Sequence, residues 1–167
     1  MTRMRSGLGF PRIVNEKAAR VVAGLVALVA ALALATGWLW LTAVLVVGFA
    51  LRVASGPRLD PFGRLATKVI APRLGEPVLV AGAPKRFAQG VGLVLTTVAT
   101  IALVLGAPTV TTALLGVLLV FALLESVVGF CAGCWVFGYL MRWGLVPEAV
   151  CVACNDITLR REQPTTA

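Results

Sequence analysis

Four stretches of this sequence, about 18–36, 38–54, 87–105 and 109–130, run almost without charge for the length of a bilayer core. At 1.5 Å of rise per residue, about 20 apolar residues cross roughly 30 Å of hydrocarbon. Within that layer every backbone N–H and C=O must find its partner in the chain, and a helix provides this segment by segment. The sequence therefore predicts an all-α polytopic membrane protein, four transmembrane helices arranged as two hairpins. With 59% of residues hydrophobic and 13% charged, little remains for a water-soluble core.

The connections between runs are legible. Gly37 is the turn signal between the first two, which makes an antiparallel hairpin with Trp38 and Trp40 at its tip, where indoles favour the headgroup level. Ala33-Leu34-Ala35 resembles a signal-peptide cleavage site, but the run is as long as a bilayer core and another follows at once, so it reads as a retained span. Ala23, Ala27, Ala31 and Ala35 form a stripe of small residues that lets a neighbouring helix approach. Arg52 is placed to snorkel its head to the interface. Gly92, Thr96 and Thr100 give the third run a second small face, Pro84 suits its start, and Gly106-Ala107-Pro108 is the turn into the fourth.

Charge then orients the bundle. Basic residues fall at the N-terminus (Arg3, Arg5, Arg12, Lys17, Arg20), around the central loop 55–86 (Arg52 to Arg86) and in the C-terminal part (Arg142, Arg160, Arg161). The two tight turns carry none, so the positive-inside rule places both termini and the central loop in the cytoplasm. The net charge of +8 is thus a topological signal rather than a nucleic-acid surface. Arg outnumbers Lys, and Ala, Val, Gly and Leu dominate, the bias of a GC-rich bacterial genome; a bacterial plasma membrane is the expected location. Inside the loop, Leu59, Phe62, Leu65, Ala66, Val69 and Ile70 recur at helical spacing, and Arg64 and Lys68 point elsewhere. This predicts a short amphipathic helix, lying in the membrane surface with Arg58, Arg64, Lys68 and Arg73 toward anionic lipid, or packed across the ends of the spans. Residues 1–17 read as a basic cytoplasmic N-terminus, 18–134 as the bundle, and 135–167 as a cytoplasmic C-terminal segment whose end, from Arg160, is disordered.

All four cysteines form two pairs, Cys131-Ala132-Gly133-Cys134 and Cys151-Val152-Ala153-Cys154, with 16 residues between them. There is no histidine, which excludes imidazole base catalysis and His-ligated metals. Cys131 lies 22 residues beyond Thr109, about 33 Å along a helix, and so near the cytoplasmic boundary, where reducing conditions disfavour permanent disulfides. Three readings stand. Four thiolates would suit a tetrahedral zinc or iron ion, although the segment between the pairs (Val136, Phe137, Leu140, Met141, Trp143) is unusually apolar and would have to turn at Gly144 and Pro147. Alternatively the pairs form a redox or sulfur-relay dithiol. For that chemistry Cys131 sits at the C-terminal end of a span, where the helix dipole opposes thiolate, and Cys151 is better placed if Pro147 starts a helix. Lastly, the cysteines are inert small apolar side chains. Glu125 is the only acid inside a span. On a continuous helix it lies about 120° from Cys131 and about 180° from Cys134, on the face of Gly129 and Gly133, which suits packing or a hydrogen bond to a neighbouring span better than thiol chemistry.

Asp60-Pro61-Phe62-Gly63-Arg64-Leu65, Pro84-Lys85-Arg86-Phe87-Ala88-Gln89 and Cys131-Ala132-Gly133-Cys134 together resemble a bacterial membrane family known as domain of unknown function 4395, from about Val14 to Asp156. The resemblance implies a small multi-spanning protein, encoded beside thioredoxin-like or rhodanese-type sulfurtransferase proteins and so pointing to sulfur or redox traffic, and it assigns no catalytic residues. Two expectations result. One is a membrane component of a thiol-redox or sulfur-handling system, not an enzyme on its own, using Cys131, Cys134, Cys151 and Cys154. The other is a scaffold with a structural four-cysteine zinc or iron site.

Overall fold

In the computed structural model, which describes residues 12–146, the chain begins with a short tie to its own central loop. Strand β1 (Ile13–Asn15) pairs antiparallel with β2 (Leu79–Ala81), Val14 opposite Val80. Cys151, Cys154, Arg3, Arg5 and the tail from Arg160 lie outside the described residues. Helix α1 (Glu16–Thr36) starts where the Asn15 side chain accepts a hydrogen bond from Lys17 N at 3.0 Å, and it stops at Gly37, whose φ of 73° suits a residue without a side chain. Trp38 and Trp40 stand exposed at the tip, ring centroids 6.5 Å apart. Helix α2 (Leu41–Ser55) returns. After the central loop, which carries a short helix α3 (Pro61–Leu65), α4 (Gly82–Val104) and α5 (Pro108–Leu123) form the second hairpin about Gly106 and Pro108. Pro84 sits in the first turn of α4, where its missing N–H is harmless.

Four helical segments are long and apolar enough to cross a bilayer: Glu16–Thr36, Leu41–Leu74, Gly82–Val104 and Pro108–Val128. The protein is an all-α, four-span membrane protein, as the apolar runs predict. Helix α4 packs chiefly on α2 and α5, and α1 on α5, around Val26, Ala30, Leu45, Phe49, Leu115 and Leu118. The α1 stripe differs from expectation: Ala23, Ala27, Ala30 and Ala33 are buried, Ala31 is half-buried and Ala35 is exposed. A strict four-residue repeat drifts about 40° per step around a 3.6-residue helix, so the buried line must skip to a spacing of three. Gly92 is where α4 crosses α2, since a Cβ there would overlap the Phe49 ring. Thr96 and Thr111 are fully buried, and the Thr111 hydroxyl donates across to Ala99 O of α4 at 2.9 Å.

The central loop departs most from expectation. After a turn at Gly56–Arg58 comes α3, then a π-helical turn (Ala66–Ile70) and a 3-10 turn (Ala71–Leu74). The segment packs on α1, with Ala66 and Ala71 against Ala18 and Val22. Apart from Asp60 its buried residues are small; Phe62 and Ile70 are half-buried, and Leu59, Leu65 and Val69 stay exposed alongside Arg58, Arg64, Lys68 and Arg73. Close approach selects small residues, so the large apolar side chains face out with the basic ones. Arg52 does not snorkel. It is 4% exposed, its guanidinium lies 4.4 Å over the Phe49 ring, and its Nε stands 3.6 Å from Asp60 Oδ2. Asp60, also the N-cap of α3, accepts from Gly63 N at 2.7 Å. The Gly56-Pro57 turn folds that carboxylate back over the end of α2, so the arginine finds its counter-charge inside the protein.

Breaking this buried pair leaves a lone charge. Arg52→Met should destabilise the protein by about 3–5 kcal/mol, and Arg52→Met combined with Asp60→Asn, which keeps the cap, should recover most of it. Equilibrium unfolding in mixed micelles measures both; equal losses in the single and double variants would remove the ion pair as the cause.

Candidate functional site

The fourth span does not run to Phe130. Helix α5 continues into a π-helical turn (Leu124–Val128) and ends at Gly129, whose φ is 79°, with Gly129 N bonded to Glu125 O at 3.1 Å. Arg20 of α1 caps this end, its Nη2 donating to Val127 O at 2.7 Å and its Nε to Ser126 O at 3.2 Å. The chain extends through Phe130 and Cys131, and helix α6 (Ala132–Arg142) begins. Cys131 is its N-cap, with φ −99° and ψ 103°, and Cys131 O accepts from Trp135 N at 3.0 Å.

This reverses the expected electrostatics. Cys131 is not at the C-terminal end of a span, where the dipole opposes thiolate, but at the N-terminus of a new helix, where unpaired N–H groups favour it. A glycine in the left-handed conformation makes the difference, and it also voids the angular argument that kept Glu125 away from the thiols. Gly133 settles α6 against α4: a Cβ on it would lie 2.6 Å from Ala88 Cα. Phe137 then packs against Phe87, the rings tilted and their centroids 5.7 Å apart.

Glu125 does bond to a neighbouring span. Its Oε1 accepts from Lys85 Nζ at 2.8 Å, the two side chains 14% and 8% exposed. Lys85 is the site residue that sequence reasoning missed; its place at the start of α4, 40 positions from Glu125, carries no local signal. Both charges act on both thiols, which are half-buried and free. A hydrogen bond with Cys134 holds the Cys131 thiol below the ordinary cysteine range, burial and Glu125 oppose it, and Lys85 assists. That same bond, with burial and the charge on Cys131, pushes Cys134 far up. The two thiols thus sit in unlike surroundings, Cys131 held below and Cys134 above the ordinary cysteine range.

Among the described residues no group of three His, Cys, Asp or Glu side chains is placed to hold a metal ion. The second pair, Cys151 and Cys154, lies outside those residues. The basic loop residues Arg58, Arg64, Lys68 and Arg73 are exposed and are not part of this site. The three stretches that carried the family resemblance do converge here: Asp60 holds Arg52; Lys85, Phe87 and Ala88 meet Glu125, Phe137 and Gly133; and the cysteines adjoin them.

The molecule is thus a four-span membrane protein with a dithiol at the N-terminus of a short helix following the last span. It belongs to the family described as Domain of unknown function (DUF4395), whose profile matches residues 14–142, including the first cysteine pair and stopping before the second. No curated protein and no solved structure matches the chain.

With Cys151 and Cys154 changed to Ser, alkylation of Cys131 should titrate below the ordinary thiol value of about 8.5. The rate falls as pH drops through the folded value, because protonation removes the nucleophile. Cys134→Ala deletes the stabilising hydrogen bond and should move the midpoint upward; iodoacetamide labelling read by mass spectrometry across pH measures it, and an unmoved midpoint would remove Cys134 as the cause.

Proposed function

We propose that the protein is a membrane-bound thiol-redox or sulfur-handling component in which Cys131 and Cys134 exchange with a soluble thioredoxin-like or rhodanese-type partner. The observation that carries this is the placing of Cys131 as the N-cap of α6 with Cys134 one turn on. The stretch that the family profile matches covers this pair and ends before Cys151.

In the exchange, the Cys131 thiolate attacks one sulfur of a partner disulfide, whose S–S bond breaks and whose leaving thiolate takes a proton from water. Cys134, giving its proton to solvent, then attacks the mixed disulfide at Cys131. The partner's second thiolate leaves, and a Cys131–Cys134 disulfide remains. Each step is reversible, so the relative potentials decide which dithiol ends oxidised. A partner persulfide is handled by the same attack on its outer sulfur, which passes to Cys131 while the partner keeps its thiolate. Arg12, Lys17, Arg20, Lys85 and Arg86 gather at the dithiol end of the bundle, and none lies at the Trp38–Trp40 tip or the Gly106 turn. This supports an orientation in a bacterial plasma membrane with the dithiol and both termini toward the cytoplasm.

The test uses oxidised thioredoxin as the defined partner and the full-length protein in mild detergent. Cys134→Ser should accumulate a mixed disulfide at Cys131, Cys131→Ser should form none, and Ser at Cys151 and Cys154 should leave the adduct intact. About one zinc or iron per chain, with thiols masked until denaturation, would instead make the cysteines a structural metal site and the protein a scaffold.

A further inference from the structure

Beside Cys131 lies an open cavity of about 350 Å³ lined by α1, α2, α4, α5 and the first turn of α6. Its walls are apolar, with Phe49, Phe87, Leu95 and Leu118 among them. Val91, Phe121 and Val136 at its edge are also exposed on the outer surface of the helices, so its mouth faces hydrocarbon. The volume falls at the lower end of the roughly 300–1,000 Å³ of small-molecule sites.

Its polar groups are few and incompletely satisfied. Arg52 is 4% exposed, yet neither Nη1 nor Nη2 has a hydrogen-bond partner among the described residues, and the buried Asp60 Oδ1 and Gln89 Oε1 have none there either. A buried donor or acceptor left unpaired is costly, so these atoms point to a ligand that pairs with them. Charge restricts that ligand further. Arg52 is balanced by Asp60 and Glu125 by Lys85, so the charges lining the cavity are compensated and none is free to hold an anion. The occupant is therefore neutral, largely apolar, soluble in the bilayer and able to accept a hydrogen bond.

We propose that this cavity binds the ring of a membrane quinone, which takes the two electrons of the Cys131–Cys134 dithiol. This rests on the dithiol reading and supplies the acceptor that the dithiol lacks. The balance closes: an S–S bond forms, the two thiols lose two electrons and two protons, and the quinone carbonyl oxygens become hydroxyls. The unpaired N–H groups of Arg52, from α2, would donate to a quinone carbonyl, and Gln89 Oε1, from α4, would accept from a hydroquinone hydroxyl.

The test uses the full-length protein in phosphatidylethanolamine–phosphatidylglycerol nanodiscs with a decyl-substituted benzoquinone. Binding is read as a saturable rise in the thermal unfolding midpoint, and electron transfer as hydroquinone formed anaerobically by pre-reduced protein. The expected result is about one hydroquinone per chain with a Cys131–Cys134 disulfide recovered. Gln89→Leu, and Arg52→Lys, which keeps the charge facing Asp60, should each weaken binding about tenfold or more. No saturable rise, a rise indifferent to both variants, or a saturable rise produced by sulfite or phosphate instead would overturn the assignment. Mixed-disulfide formation with thioredoxin, measured without quinone, reports on the dithiol alone. Its loss with quinone binding retained refutes the dithiol reading, and its persistence without quinone binding refutes only the cavity's role.

Discussion

Lys85 and Glu125, 2.8 Å apart and almost hidden from solvent, set the register between the start of α4 and the end of the fourth span. Neither charge is tolerable alone at that depth, because desolvating an unpaired ammonium or carboxylate costs several kcal/mol. The two helices are therefore held at one relative height, and the placing of α6 depends on it. Phe87 and Ala88, just beyond Lys85, receive Phe137 and Gly133, and so the first turn of α4 is the seat on which α6 rests. The dithiol lies where it does because a lysine on one span meets a glutamate on another.

Elsewhere the bundle is assembled by smallness. Lipid tails are as apolar as leucine, so burying leucine against a neighbouring helix gains little; close backbone approach and hydrogen bonds must supply the difference. Ala23, Ala27, Ala30 and Ala33 line the buried side of α1, Gly92 admits Phe49, and Thr111 bonds across to the α4 backbone. The central loop obeys the same rule, and this is why its helical pattern misleads. A pattern of large apolar residues marks the core face in water, but Leu59, Leu65 and Val69 are exposed while Gly63, Ala66 and Ala71 are buried.

The spans and turns were legible because each is written locally: a run of bilayer length, then Gly37 or Gly106-Ala107-Pro108. The site was only partly so. Its cysteines stand out in any reading, but their electrostatic setting hangs on Gly129. In an apolar run a glycine reads equally as a packing contact, and nothing nearby shows that it adopts a positive φ of 79° and ends the helix. The ion pairs were hidden for a different reason. Arg52 and Lys85 sit at the edges of apolar runs, where a basic residue ordinarily serves topology, and their partners Asp60 and Glu125 are identified only once the chain has folded. The three-residue strands β1 and β2 are too short for any alternation to show.

Helix α6 places the dithiol at the edge of the bundle. Trp135 and Trp143 are exposed, and Tyr139 packs between them at centroid distances of 4.5 and 6.1 Å, with Arg142 5.8 Å from the Tyr139 ring. Indole and phenol rings with a guanidinium beside them favour the headgroup layer, where one side is apolar and the other wet. A helix lying at that level carries its N-terminal thiols to the boundary itself, half-buried against α4. From there Cys131 borders a cavity walled by phenylalanine and leucine, while the bundle end carrying Arg20, Lys85 and the β1–β2 pair adjoins it. In the proposed exchange, a thiol deeper in the bundle would be shut off from a water-soluble partner, and one further out would lose the burial that Cys131 and Cys134 share. The position is a consequence of ending the span at Gly129 rather than continuing it.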